Sequence, residues 1–157
     1  MIPAGLYRHN VRAIYPAMRL ASRIALTSQC DRAKVGCAFV GEDATILVAS
    51  NNHSHGGMKK DHSCVTNGHY MVDSHCCATV HAEIACIVEA MKNALSLERS
   101  ACVITHTPCM YCSIALIEVG IKLLYIKERY REDNNMYKMF IQKGIKVFDW
   151  NFNALKW

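Results

Sequence analysis

His81-Ala82-Glu83 and Pro108-Cys109-Met110-Tyr111-Cys112 are the two stretches of this 157-residue chain whose side chains could do chemistry together. Cys109 and Cys112, at i and i+3, share one face of a first helical turn and can grip a single ion. A helix N-terminus favours their thiolate forms, as zinc does. With His81 as third ligand, a tetrahedral zinc keeps one position open, which a catalytic site needs for water. Zinc lowers the pKa of such a water to about 7, giving a nucleophile at neutral pH. Glu83 is too close to His81 along the chain to be a convenient co-ligand. Its carboxylate is suited to carrying a proton from the water to a ring nitrogen and then to the leaving group. Each motif alone is weak, since paired cysteines also occur in structural zinc sites and a helix-start glutamate is ordinarily a solvated partner of the dipole. In this order, each opening a helix after an extended segment, they specify one hydrolytic zinc site.

These motifs need elements to position them. Residues 13–28 keep a 3.6-residue apolar stripe and predict a helix, with Pro16 tolerable in its first turn. Val35–Val40 and Thr45–Ala49 flank Gly41-Glu42-Asp43-Ala44 and predict a hairpin. His81–Asn93, Cys109–Val119 and Asn134–Lys143 predict helices, the last two stopped by Gly120 and Gly144. Ala101–Thr105, Lys122–Lys127 and Ile145–Phe148 predict strands. Strands alternating with helices imply a sheet covered by helices with some parallel pairs.

Between the hairpin and His81, residues 51–80 are polar, rich in Gly, Asn, Ser and His, and without sustained periodicity. Five of the eight histidines fall there and His81 follows directly, with Cys64, Cys76 and Cys77 among them. A structureless stretch of that length is improbable inside a compact domain, so a bound ion is the candidate that orders it. Nine cysteines are an odd number, in a chain long enough to bury its own core, which favours metal binding over a disulfide framework.

Composition bounds the rest. At 52% apolar and 20% charged residues, a disordered or collagen-like chain is excluded. No run approaches the ~18 apolar residues of a membrane span. Arg8, His9, Asn10 and Arg12 occupy the place of a signal peptide's apolar region, which predicts a cytoplasmic protein. A net charge of +5 suits anionic partners, whether phosphates or nucleic acid.

With the motifs in place, the chain resembles the deoxycytidylate (dCMP) deaminases of the zinc-dependent cytidine deaminase superfamily, over residues 13–150. The likeness is carried by VGCAFV, ILVASNNHSHGG, HSCVTNGHYMVDSHCCATVHAEIA and VITHTPCMYCSIALIEVGIKLLYIKERY. It implies a single α/β domain over 1–157, a three-layer α-β-α fold with a five-stranded mixed sheet, and a His/Cys-rich insertion at about 53–80. It further implies hydrolytic deamination of dCMP to dUMP, a homohexamer, dCTP and dTTP as effectors, and Mg2+ accompanying an effector nucleotide. Asn52 stands where the family has the Asn of a G-Y-N-G turn, and takes over its nucleotide contact. Tyr130 matches the tyrosine after the fourth strand, which flanks the base pocket. The chain departs from the family pattern at Ser50-Asn51-Asn52-His53 for the G-Y-N-G turn, at Ala85 for an Asn, and at Ala78 for an Arg. Those departures touch phosphate recognition and allosteric control, not the zinc machinery.

Some phage members of the dCMP branch hold a second, structural zinc. Cys30, by its spacing to Val35-Gly36, and Cys64 fit two of its ligands, and two of His69, His75 and Cys76 would complete the set. His106, just before Thr107-Pro108, could line the catalytic pocket, and Lys59-Lys60 or the run Lys127 to Arg131 could attract a phosphate. Other substrates stay open on the same chemistry: dCTP, a modified dCMP, cytidine, or adenosine in tRNA. So does a non-catalytic, zinc-stabilised binding module, for instance a DNA-uptake or regulatory partner, which would have no use for Glu83.

Overall fold

A computed structural model describes residues 11–130 and 134–155. The polar N-terminal stretch that argued against export (Arg8, His9, Asn10) and Arg131 fall outside them. In chain order the elements are α1 (Val11–Ala25), β1 (Gly36–Val40), β2 (Ile46–Asn51), β3 (His53–Ser54), α2 (Cys64–Asn67), β4 (Met71–Val72), β5 (His75–Cys76) and β6 (Thr79–Val80). They continue with α3 (Ala82–Lys92), β7 (Ala101–His106), α4 (Met110–Glu118), β8 (Leu123–Glu128), α5 (Asn134–Gln142) and β9 (Lys146–Asp149).

The main sheet has five strands in the order β2-β1-β7-β8-β9. The pairs β2–β1 and β1–β7 are antiparallel, and β7–β8 and β8–β9 are parallel. The parallel half follows from connectivity: α4 and α5 are crossover helices, which parallel neighbours need. The central strands alternate between two buried faces. Cys37, Phe39, Cys102, Ile104, Leu124 and Ile126 pack with Cys86 and Ala90 of α3, Leu116 of α4 and Phe140 of α5. Ala38, Val40, Ala101, Val103, Leu123 and Tyr125 pack with Ala13, Ile14, Ala17, Met18 and Ala21 of α1. The result is three layers, α1 below and α3, α4 and α5 above. Cys37, Cys86 and Cys102 are core residues rather than ligands.

Two expectations shift. Helix α1 already includes Val11, so Pro16 lies inside it instead of in a first turn at Ala13. Its missing N–H removes one backbone bond, and the small-residue face seated on the sheet holds the helix regardless. The second concerns residues 51–80, which form short ladders instead of lacking structure. β3 pairs with β6 and β4 with β5, around the one-turn helix α2. Asp73 and Ser74 close the β4–β5 hairpin with φ of 46° and 65°, the positive values that a two-residue turn uses to match strand twist.

Gly36 fixes how closely α1 approaches. A Cβ there would overlap the Ala21 carbonyl and lie 3.1 Å from the Ala25 nitrogen, both rigid helix backbone. Gly36→Ala is therefore expected to cost about 2–3 kcal/mol and lower the melting temperature by about 5–10 °C. A thermal melt that coincides with the wild type would contradict this packing.

Candidate active site and metal centres

Two helix starts build the first centre. His81 is the N-cap of α3, with extended backbone (φ −65°, ψ 146°), and Cys109 is the N-cap of α4 (φ −69°, ψ 168°). Neither cap side chain bonds its own helix, so both are free to point across to each other. Cys112 follows within the first turn of α4. His81 Nδ1 lies 3.6 Å from Cys109 Sγ and 3.3 Å from Cys112 Sγ. All three donor atoms fall within 4.8 Å of one another, and no fourth His, Cys, Asp or Glu joins them among the described residues. These separations are close to the edges of about 3.4–3.8 Å of a tetrahedron with zinc bonds of about 2.0–2.3 Å, so the donor set fits zinc with one position left.

The electrostatics agree. The neighbouring Cys112 thiol, helped by His81, pulls the Cys109 thiol down to about 4, while Cys109 and burial push Cys112 upward. One sulfur is thus held as a thiolate and the other as its donor, and a coordinated zinc deprotonates both. Glu83, in the first turn of α3, is 3% exposed. Burial raises its carboxyl to about 7 against the opposing pull of its own backbone N–H and of His81. A carboxyl poised there can both take and give a proton near neutrality.

His81, Glu83 and Cys109 line a cleft of about 380 Å³, a size suited to a small ligand, with Cys112 buried behind them. Asn52 and Tyr130 both line it, as does His106. The Asn52 side chain is largely committed to the wall: Oδ1 accepts from Val35 N at 2.8 Å and Nδ2 donates to the Ala33 carbonyl at 2.8 Å. One donor and one acceptor site of the amide remain for a ligand. Tyr130 stands edge-on to His106, ring centroids 6.1 Å apart, and its backbone N–H donates to Thr107 Oγ1 at 3.0 Å. His106 is braced by Thr105 Oγ1 at 3.0 Å, and burial lowers its pKa. Lys59, Lys60, Lys127 and Arg129, read from sequence as phosphate candidates among others, are not part of the cleft wall.

A second cluster gathers Cys30, Cys64, His69 and Cys76, all four donor atoms within 4.8 Å of one another. Cys64 and Cys76 Sγ are 3.6 Å apart, and His69 Nδ1 lies 3.4 Å from Cys76 Sγ and 3.8 Å from Cys30 Sγ. This is again a tetrahedral spacing, now closed by four protein donors, as a structural zinc requires. Burial raises Cys64 to about 12. At Cys76 burial is outweighed by hydrogen bonds from His69 and the chain, which bring it to about 7.

Of the three alternatives left open for the last two positions, the structure gathers His69 and Cys76, and His75 lies outside the quartet. Neighbours on an extended strand point to opposite sides, so with Cys76 turned to the cluster His75 faces the cleft. Its ring lies 6.3 Å from that of His81. Asp31 is a partner that sequence reading missed. Its Oδ1 accepts from His69 Nε2 at 3.0 Å, which leaves Nδ1 facing the cysteine sulfurs. An acidic residue beside a candidate ligand cysteine was the available signal. Other histidines of the insertion serve its backbone, as where His55 Nε2 meets the Cys77 carbonyl at 2.9 Å.

The fold and this double cluster can be set beside known proteins. A family profile described as "Cytidine and deoxycytidylate deaminase zinc-binding region" matches residues 13–128, and the chain belongs to that family. ComE operon protein 2 of Bacillus subtilis (strain 168) is 32% identical over 124 residues, 79% of this chain and 64% of that protein. The deoxycytidylate deaminase of Saccharomyces cerevisiae is 27% identical over 142 residues, 86% of this chain and 44% of the yeast protein. This chain therefore spans less than two thirds of both relatives. A crystal structure of dCMP deaminase from the cyanophage S-TIM5, in complex with dCMP and dUMP, superposes with a TM-score of 0.74 at 26% identity, covering 88% of this chain and 96% of that one. The five-stranded, three-layer fold is the cytidine-deaminase-like one expected from the sequence.

Proposed function

We propose that this chain hydrolyses the exocyclic amine of dCMP, giving dUMP and ammonia, as a single deaminase domain. The observation that carries the reading is the buried Glu83 carboxyl sharing one cleft with His81 and Cys109 of a three-donor set that, among the described residues, has no fourth protein ligand. The family match and the cyanophage dCMP deaminase support it and favour the nucleotide over other amidines. His81, Cys109 and Cys112 would hold the zinc, whose chemistry when bound would be to acidify a water to near neutrality. Glu83 takes the proton from that water as its oxygen adds to C4 of the cytosine. It delivers the proton to N3, and a second transfer to the C4 amine lets ammonia leave. Asn52 offers its remaining amide sites to the nucleotide, and the Tyr130 and His106 rings form one wall of the base pocket.

Cys30, Cys64, His69 and Cys76 hold a second, structural zinc in the same proposal, with Asp31 orienting His69. Assembly into a homohexamer and control by dCTP and dTTP with Mg2+, implied by the family likeness, belong to it as well.

Ammonia release from cytidine, dCMP, dCTP, 5-methyl-dCMP and a tRNA anticodon stem, with and without dCTP and dTTP, tests it. The zinc-loaded chain is expected to favour dCMP. A preference for the RNA or the triphosphate would overturn the substrate assignment, and release from none of them would overturn the reaction.

A further inference from the structure

We propose that the groove between α1 and the end of β8 is a binding surface for single-stranded nucleic acid, separate from the catalytic cleft. This groove, of about 830 Å³, is lined by Arg19 and Arg23 of α1 and by Lys127 and Arg129 around the end of β8. All four cations are exposed. Among the described residues no carboxylate pairs with Arg19, Arg23 or Lys127. Asp149 is the one acidic residue in the lining. Its oxygens are engaged within their own turn, accepting from Asn151 N at 2.8 Å, Asn153 N at 2.9 Å and Asn153 Nδ2 at 2.8 Å. A chain of net charge +5 thus gathers four cations in one groove, from segments distant in sequence. Such a surface attracts polyanions.

Charge alone would suit any polyanion, and the aromatic residues beside the cations decide between them. Trp150 and Tyr15 line the same groove. The Trp150 indole is fixed by Nε1, which donates to the Tyr125 carbonyl at 3.3 Å, and Lys127 Nζ stands 5.4 Å from its ring centroid. Tyr15 is 53% exposed and packs edge-to-face with Phe152, ring centroids 5.2 Å apart. Rings that stack on bases, flanked by cations that follow the backbone, suit an unpaired strand. A duplex turns its bases inward and leaves such rings unused, and a run of carboxylates offers them no flat partner. The segment 127–130 sets the groove apart from the cleft, because successive side chains of an extended chain alternate. Glu128 reaches to 3.6 Å from His106 and Tyr130 lines the cleft, whereas Lys127 and Arg129 line the groove. A strand can therefore occupy the groove without entering the cleft.

Fluorescence anisotropy of a labelled oligothymidylate with the zinc-loaded chain tests the assignment, over about 50 to 200 mM salt and with poly-glutamate as competitor. Affinity is expected to fall as salt rises. The triple variant Arg19→Gln, Arg23→Gln, Lys127→Gln is expected to bind about 10- to 100-fold more weakly. Its slope of log affinity against log salt is expected to be shallower by about 2, at roughly 0.7 for each phosphate contact on a single strand. Its melting temperature and zinc content are expected to match the wild type. Tyr15→Leu is expected to weaken the oligothymidylate by about 5- to 100-fold, the loss of one stacked base, with the salt slope unchanged. Absence of binding at the lowest salt, or equal binding by the triple variant, overturns the proposal. Equal competition by poly-glutamate, with Tyr15→Leu as tight as the wild type, assigns the groove to an acidic protein and overturns the single-strand reading.

Discussion

Zinc-loaded Glu83→Gln is expected to keep its metal and its melting temperature and to lose about 10²- to 10⁴-fold in kcat, the usual contribution of one positioned acid–base group. Glutamine fills the same volume and can still bond the backbone N–H at the start of α3, so the buried pocket around this 3% exposed side chain stays packed. What it cannot do is accept a proton and return it. Glu83 is not a member of the three-donor group, so metal content separates a proton-transfer role from a ligand role. Ammonia release and zinc analysis on the same preparation make the check. Activity within tenfold of the wild type removes Glu83 from proton transfer, and loss of zinc would make it a ligand instead.

The second large effect concerns the quartet. Wild-type chain is expected to carry two zinc ions and Cys64→Ser one, with the segment from β3 to β6 becoming open to protease. Apolar packing around this cluster is slight: among the described residues it consists of buried Cys30, Cys64 and Ala78, with Met58 and Cys76 beside them. Two-residue ladders and a single helical turn cannot hold such a segment by themselves. Zinc can, since structural sites in small peptides bind with about 10–16 kcal/mol of apparent free energy. Metal analysis and limited proteolysis read both consequences. One zinc in the wild type, or two retained in Cys64→Ser, would sink the structural site.

Much of this architecture could be read from the chain. The order of β1, β2 and the later helix–strand alternation follows from periods of 2 and 3.6 that the residues keep strictly. His81, Glu83, Cys109 and Cys112 were legible because their chemistry demands particular residue types at particular spacings. The insertion was not legible in the same way. Its order comes from side chains distant in sequence, such as Gln29, whose Oε1 accepts from Ser54 N at 2.7 Å and whose carbonyl accepts from Cys64 N at 2.9 Å. No local period records such contacts. His75 and Cys76 illustrate the limit: adjacent, equally capable of ligation, and separated only by which side of a two-residue strand each one faces.

The two donor sets are also written into the chain in sequence order. All four groups of the quartet lie between residues 30 and 76, whereas the catalytic set is completed only at Cys112 and only once β7 has paired across β1. If both sets bind zinc as proposed, then on a chain emerging from the ribosome the quartet is available first, and the three-donor set waits for a long-range strand pairing. Metal scarcity during synthesis would then produce molecules with an ordered insertion and an empty catalytic centre, rather than the reverse.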